Sequence, residues 1–190
     1  MNSLNKDQIR NLLPHREPML LVDELYDIVD LTSATAVVNV KISSFFVQGH
    51  FPDNPVMPTS LIIESITQAA SLLLLTNHQL ADRKPVCTEI LNAKFKKSVY
   101  PGDQLRLEIE LKKQKDTLLK CEGIALVDGQ IICETTFTFT LTTKPSNPQV
   151  HPTATVHPTA VLGKDVTIGA NSIIGEEVSI GDNTKIESNV

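Results

Sequence analysis

Within the run Gln104–Lys113, apolar and polar residues alternate from Gln104 to Leu111. Leu105, Leu107, Ile109 and Leu111 fall on one face, Arg106, Glu108 and Glu110 on the other. A period of two with one greasy face predicts a half-buried antiparallel strand. Four more runs read as strands: the Ala-, Thr- and Val-rich Ser33–Ile42, then Thr88–Val99, Leu118–Leu126 and Ile131–Leu141. Tyr100-Pro101-Gly102-Asp103 and Asp128-Gly129 are the turns between them, the second a hairpin signal. Helical spacing appears twice. Lys6–Leu13 places Ile9, Leu12 and Leu13 on one face and is stopped by Pro14. From Leu61 to Leu75 the chain is apolar on nearly every face, as in a helix buried all round. Leu13–Asp23 leads into a strand, and Asn77–Lys84 is a polar connection. One long buried helix among antiparallel strands predicts an α+β fold with the sheet wrapped around the helix.

The pattern changes near the end. Residues 144–149, with Pro145 and Pro148, form a linker between a domain at 1–143 and a segment at 150–190. In that segment Val150, Val156, Leu162, Ile168, Ile174, Ile180 and Ile186 recur every six residues without a slip. Gly follows four of them, at 163, 169, 175 and 181, and a smaller side chain stands four residues after each. This is a hexapeptide repeat, predicting a parallel β-helix with the aliphatics stacked inside and Gly at the corners. The open end of such a coil exposes unpaired backbone, so a longer chain or a capping partner is expected.

Composition narrows the function. With 190 residues, 41% hydrophobic and 21% charged, the chain resembles an ordinary globular protein. A net charge of −5 argues against a nucleic-acid binder. Met1–Asp7 lacks the layout of a secretory signal, and Leu61–Leu75 is too short and too interrupted to span a bilayer, so a cytoplasmic protein is expected. Cys87, Cys121 and Cys133 show no metal-ligand spacing and read as reduced, buried thiols. No metal and no cofactor are expected.

The chemistry concentrates in Gly49–Glu64. Pro52, Pro55 and Pro58 make a rigid loop, and Thr59 or Ser60 can cap the helix that follows. Inside the apolar helix stand Glu64 and, one turn later, Gln68. A histidine on a rigid loop and a carboxyl on a buried helix suit a general base and a general acid, His50 and Glu64. His15 beside Arg16, in a Pro-bounded turn, reads as structural. Lys94, Lys96 and Lys97 form the densest basic cluster, either a solvated strand edge or a landing site for an acidic partner.

Gly49-His50-Phe51-Pro52, Pro55-Val56-Met57-Pro58, Leu61-Ile62-Ile63-Glu64 and Gln68-Ala69-Ala70 together resemble the signature of the FabZ-type 3-hydroxyacyl-acyl-carrier-protein dehydratases. Leu13-Pro14-His15-Arg16 and Gly102-Asp103-Gln104-Leu105 match the same family. The resemblance implies a hotdog fold and dehydration of a carrier-bound 3-hydroxyacyl thioester in fatty-acid synthesis. It assigns His50 to the C2 proton and Glu64 to the departing hydroxyl. It places Phe51, Met57, Thr59, Ser60 and Gln68 along the substrate, and Lys94, Lys96 and Lys97 against acyl carrier protein. It also implies a homodimer in which the His and the acid come from different subunits, assembled as a trimer of dimers. Glutamate at 64 resembles the dehydratase-only branch. The chain departs from the family pattern at Thr59, where a Gly is usual, at Asp53-Asn54 in place of Gly-Arg, and at Glu17 and Met19 in place of Tyr and Phe. A hotdog acyl thioesterase and a noncatalytic trimeric scaffold are the competing readings. From His151-Pro152-Thr153-Ala154 onward the chain resembles the start of the UDP-N-acetylglucosamine acyltransferase of lipid A synthesis, a left-handed β-helix. That family's catalytic histidine lies beyond the matched stretch, so no acyltransferase activity is expected, and His151 and His157 are expected at solvent-facing corners.

Overall fold

The apolar run after Pro58 folds as the longest helix of the protein, and the sheet is arranged around it. In the computed structural model, residues 3–80, 82–143 and 148–190 are described, and the chain divides into two compact units, Met1–Thr143 and Lys144–Val190. The first unit runs β1 (Ser3–Leu4), α1 (Lys6–Leu12), β2 (Glu24–Val29), β3 (Ser33–Asn39), α2 (Thr59–Leu75), β4 (Arg83–Phe95), β5 (Gln104–Lys115), β6 (Leu118–Val127) and β7 (Gln130–Thr143). The strands form one antiparallel sheet in the order β1-β2-β3-β5-β6-β7-β4. This is the hotdog arrangement, α+β as the hydrophobic pattern predicts.

Every residue of α2 from Ser65 to Leu75 is buried. Its Ile66, Leu72 and Leu73 share one core with Leu105, Leu107 and Ile109 of β5 and Phe137 and Phe139 of β7. These strand residues sit two apart because only alternate side chains of a pleated strand face the helix. Where α2 passes β6, the sheet has no room for a side chain: a Cβ on Gly123 would collide with Ile66 Cγ2. Two tight turns follow the sequence signals. Asp128 and Gly129 both have positive φ and close the β6–β7 hairpin, and Gly102 has φ 106° in the turn closed by Asp103 N–H to Tyr100 C=O.

The structure departs from the sequence expectations at several places. The strand placed at Thr88–Val99 lies at Arg83–Phe95, so part of the supposed polar connection is strand. Pairing with β7 along most of its length, from Arg83 opposite Thr143 to Phe95 opposite Cys133, sets these limits, and polarity along the chain does not reveal it. The N-cap of α2 is Pro58, with no side-chain cap; Thr59 and Ser60 already lie in the first turn, which leaves their N–H groups without intrahelical partners. At α1, Asn5 and Gln8 form a reciprocal capping box. Cys87 is exposed, whereas Cys121 and Cys133 are buried.

β4 is the outer strand of its side of the sheet, and it is exposed at nearly every position. Ile90 and Leu91 are 51% and 48% exposed there, an apolar face on an unpaired edge.

The second unit is a coil of short parallel strands: β8 (Gln149–Val150), β9 (Thr155–Val156), β10 (Val161–Leu162), β11 (Thr167–Ile168), β12 (Ile173–Ile174), β13 (Ser179–Ile180) and β14 (Lys185–Ile186). Each pairs with the strand eighteen residues on, as β8 with β11 and β11 with β14, so three strands make one coil. Val166, Ile168, Ile174 and Ile180 fill its interior. Gly does not turn these corners. The left-handed residues are Asp165, Asn171, Glu177, Asn183 and Asn189, again six apart, and four of the five are Asp or Asn, whose short polar side chains tolerate positive φ. Gly163 and Gly169 answer a different need: a Cβ on either would strike the backbone of the next coil. Of the linker placed at 144–149, residues 144–147 lie outside the described residues, and Gln149 belongs to β8.

Replacing Gly123 by Ala is expected to cost about 1–3 kcal/mol, because the added methyl forces α2 and β6 apart. Equilibrium denaturation of the variant measures it; an unchanged midpoint contradicts the packing described here.

Candidate active site

The loop before α2 holds His50 by its backbone and by its ring. Its N–H bonds to Phe46 C=O at 2.9 Å, and its own C=O accepts Val56 N–H at 2.8 Å. Inside that bracket Phe51 and Asn54 bond each other across Pro52-Asp53, and Met57 N–H ties the end of the loop to Val99 C=O. The ring Nδ1 lies 2.8 Å from Val56 C=O. A carbonyl only accepts, so Nδ1 carries the proton and the neutral ring presents a bare Nε2. Phe51 stacks on the imidazole with centroids 4.2 Å apart. Fixed tautomer, fixed ring and free Nε2 are what a base requires.

Glu64 projects from the second turn of α2, where the helix passes from half-exposed to fully buried. Its Oε1 accepts from Gln68 Nε2 at 2.7 Å and lies 3.4 Å from His15 Nε2. Its side chain is 32% exposed. Within one chain no hydrogen bond or ion pair joins His50 and Glu64; each half of the proposed pair is built by its own neighbours.

Gln68 and Met57, expected along the substrate, are occupied elsewhere. Gln68 is 1% exposed, donates its second amide hydrogen to Met19 C=O at 2.8 Å and accepts Leu21 N–H at 3.0 Å. Both of its hydrogens are therefore spent inside the protein, and it orders Glu64 and the segment Met19–Leu21. Met57 is closed in the core, 2% exposed. Phe51, Thr59 and Ser60 are exposed, Phe51 on His50 and the other two at the open start of α2. His15, read as structural, instead reaches the candidate acid, while Arg16 bonds the carbonyls of Leu13 and His15. No spacing rule joins residues 15 and 64; Gln68 bonds the segment Met19–Leu21, which follows His15, to α2.

The basic cluster lies at the end of β4 and just after it. Lys96 pairs with Glu134 at 2.9 Å, Lys97 bonds Gln130, and Lys94 is exposed. Cys87 lies on the same strand. Partial burial above all pushes its thiol up, and the charge of Glu64 adds to the effect. Burial pushes Cys121 up to about 12 and Cys133 to about 11, which keeps both as inert thiols. Among the described residues no helix is long and apolar enough to cross a membrane, and no group of three or more His, Cys, Asp or Glu can hold a metal. In the second unit His151 is exposed but His157 is half-buried, and both serve the coil. Each Nδ1 accepts the N–H of the Thr two residues on, whose hydroxyl in turn accepts from Asn171 or Glu177 of the next coil.

An antiparallel sheet wrapped around one buried helix defines the hotdog class of fold. The FabA-like domain model matches residues 13–136, and the chain belongs to that family. It is 41% identical to the 3-hydroxyacyl-acyl-carrier-protein dehydratase FabZ of Geobacillus thermodenitrificans over 76% of this chain and 99% of that protein. Identity to the enzyme of the same name from Anoxybacillus flavithermus is 42%, over 73% and 97%. The dehydratase heterocomplex ApeI:P from Xenorhabdus doucetiae superimposes with a TM-score of 0.61 at 19% identity, covering 72% of this chain and 91% of that one, which supports the fold. Residues 159–190 match the bacterial transferase hexapeptide model.

Nitrogen-15 NMR of the imidazoles is expected to show neutral His50 with a protonated Nδ1 and an unprotonated Nε2. The opposite tautomer contradicts the Val56 hydrogen bond.

Proposed function

We propose that the protein removes water from a 3-hydroxyacyl thioester on acyl carrier protein to give the trans-2-enoyl thioester, as a cytoplasmic enzyme of fatty-acid synthesis. The observation that carries this reading is His50 held with Nδ1 on Val56 C=O, which aims a bare Nε2 out of a rigid loop. Nε2 takes the C2 proton. The electrons flow through the thioester enolate into the C2–C3 double bond, the C3–O bond breaks, and the proton of the Glu64 carboxyl leaves with the hydroxyl as water. The free N–H groups at Thr59 and Ser60 stand at the positive end of a 17-residue helix, where developing negative charge on the thioester oxygen is favoured.

The complete site is shared by two copies. The long edge of β4, apolar at Ile90 and Leu91, needs a strand to cover it, and a second β4 supplies one. A two-fold pairing there brings the His50 of one chain to the Glu64 of the other, since neither finds the other within a chain. Lys94, Lys96 and Lys97 form the landing site for the acidic carrier, where charge raises the rate of encounter. The hexapeptide coil contributes to assembly of the dimers around a three-fold axis.

His50→Ala and Glu64→Gln are each expected to lower turnover of a 3-hydroxyacyl carrier protein by at least about a hundredfold. Either variant at wild-type rate removes the assignment. Refolding the two inactive variants together tests the shared site: hybrid dimers hold one intact pair, so activity returns, whereas sites complete within single chains recover nothing. Deletion of residues 146–190 is expected to leave dimers where the full chain forms a larger assembly, and light scattering that shows no change of mass removes the tail from that role.

A further inference from the structure

The carboxyl of Glu64 has two oxygens in unlike surroundings. Oε1 accepts a 2.7 Å hydrogen bond from Gln68 Nε2 and faces His15 Nε2 at 3.4 Å. Among the described residues nothing is bonded to Oε2. His15 Nδ1 is buried and without a partner. An unpaired buried N–H is more costly than an unpaired lone pair, so the proton of neutral His15 belongs on Nε2, directed at Oε1. The 3.4 Å separation is long for a hydrogen bond, as such contacts commonly are before substrate closes the site. Gln68 cannot rotate away: its other amide hydrogen and its carbonyl are held by Met19 and Leu21, in the same segment that positions His15.

We infer that Gln68 and His15 are positioning residues that commit Oε1 of Glu64 to the protein and leave Oε2 as the only oxygen able to hand a proton to substrate. The inference rests on the dehydratase reading for its kinetics but not for its geometry. With Oε1 occupied by donors, the proton of the neutral acid resides on Oε2. A carboxyl free to flip would spend part of its time with the proton turned away. Gln68 supplies the firm anchor and His15 the second donor, and both come from the same chain as Glu64, so each copy carries its acid already oriented before any pairing.

Three variants separate orientation from mere folding. His15→Phe keeps the ring shape and loses only the Nε2 donor, since Nδ1 has no partner to lose; its thermal midpoint should match wild type. Its kcat is expected to fall about tenfold with KM unchanged, because the lost bond acts on proton transfer and not on substrate binding. His15→Gln places an amide N–H near the position of Nε2 and should restore most of kcat. Gln68→Met removes the anchor and should lower kcat further, together with the thermal midpoint. A readout independent of turnover is the infrared C=O stretch of protonated Glu64, identified by its disappearance in Glu64→Gln. Donors to Oε1 lower its frequency, so it should rise in His15→Phe and in Gln68→Met and return in His15→Gln. A band that stays at the wild-type position in His15→Phe and Gln68→Met overturns the inference, as does wild-type kcat in His15→Phe or failure of His15→Gln to recover. If the wild-type protein itself shows no dehydration, the dehydratase reading fails while the infrared band still decides the orientation of Glu64.

Discussion

An amide buried to 1% exposure must find its hydrogen-bond partners inside the protein, and Gln68 finds them in three places at once. Its bonds to Met19 and Leu21 bind the segment after α1 to the long helix, and its bond to Glu64 directs the carboxyl. Left unpaired, such a group costs on the order of 1–3 kcal/mol, so the helix, the segment and the acid are ordered together. Burial of α2 supplies the stability of the unit, and this one polar side chain sets the direction in which its chemistry faces.

The histidine is ordered by a separate device. The prolines at 52, 55 and 58 make a loop that cannot join helix or sheet, and its backbone bonds close on themselves around the imidazole. Rigid support on both sides matters because proton transfer depends on where atoms are held more than on how tightly substrate is gripped. Within one chain no hydrogen bond or ion pair joins the two supports, and β4 is an exposed edge strand. A strand edge left uncovered is a place where a further strand can pair.

The terminal coil obeys a simpler logic. Each turn is held by its neighbours eighteen residues away, through parallel strands and an aliphatic interior, and in the first coil also through Thr153 and Thr159, which accept from Asn171 and Glu177. Positive φ at an Asp, Asn or Glu every six residues turns the chain, while Gly163 and Gly169 allow one coil to approach the next. Two requirements, corner conformation and close approach, share one period in the sequence, so the glycines draw attention to the wrong one of the two.

Local pattern was sufficient for much of this. The alternation in Gln104–Lys113, the apolar run of α2, the Asp128-Gly129 hairpin and the six-residue period depend only on which residues stand a few positions apart, and that is written in the chain. His50 and Glu64 also stand in one continuous motif, so the sequence alone singles them out as candidates. Tertiary structure alone decided the rest. The limits of β4 follow from pairing with β7, the bonds of Gln68 to Met19 and Leu21 reach across nearly fifty positions, and the contact of His15 with Glu64 joins residues forty-nine positions apart. Contacts of that kind depend on which segments the fold brings together, and no short-range periodicity encodes them.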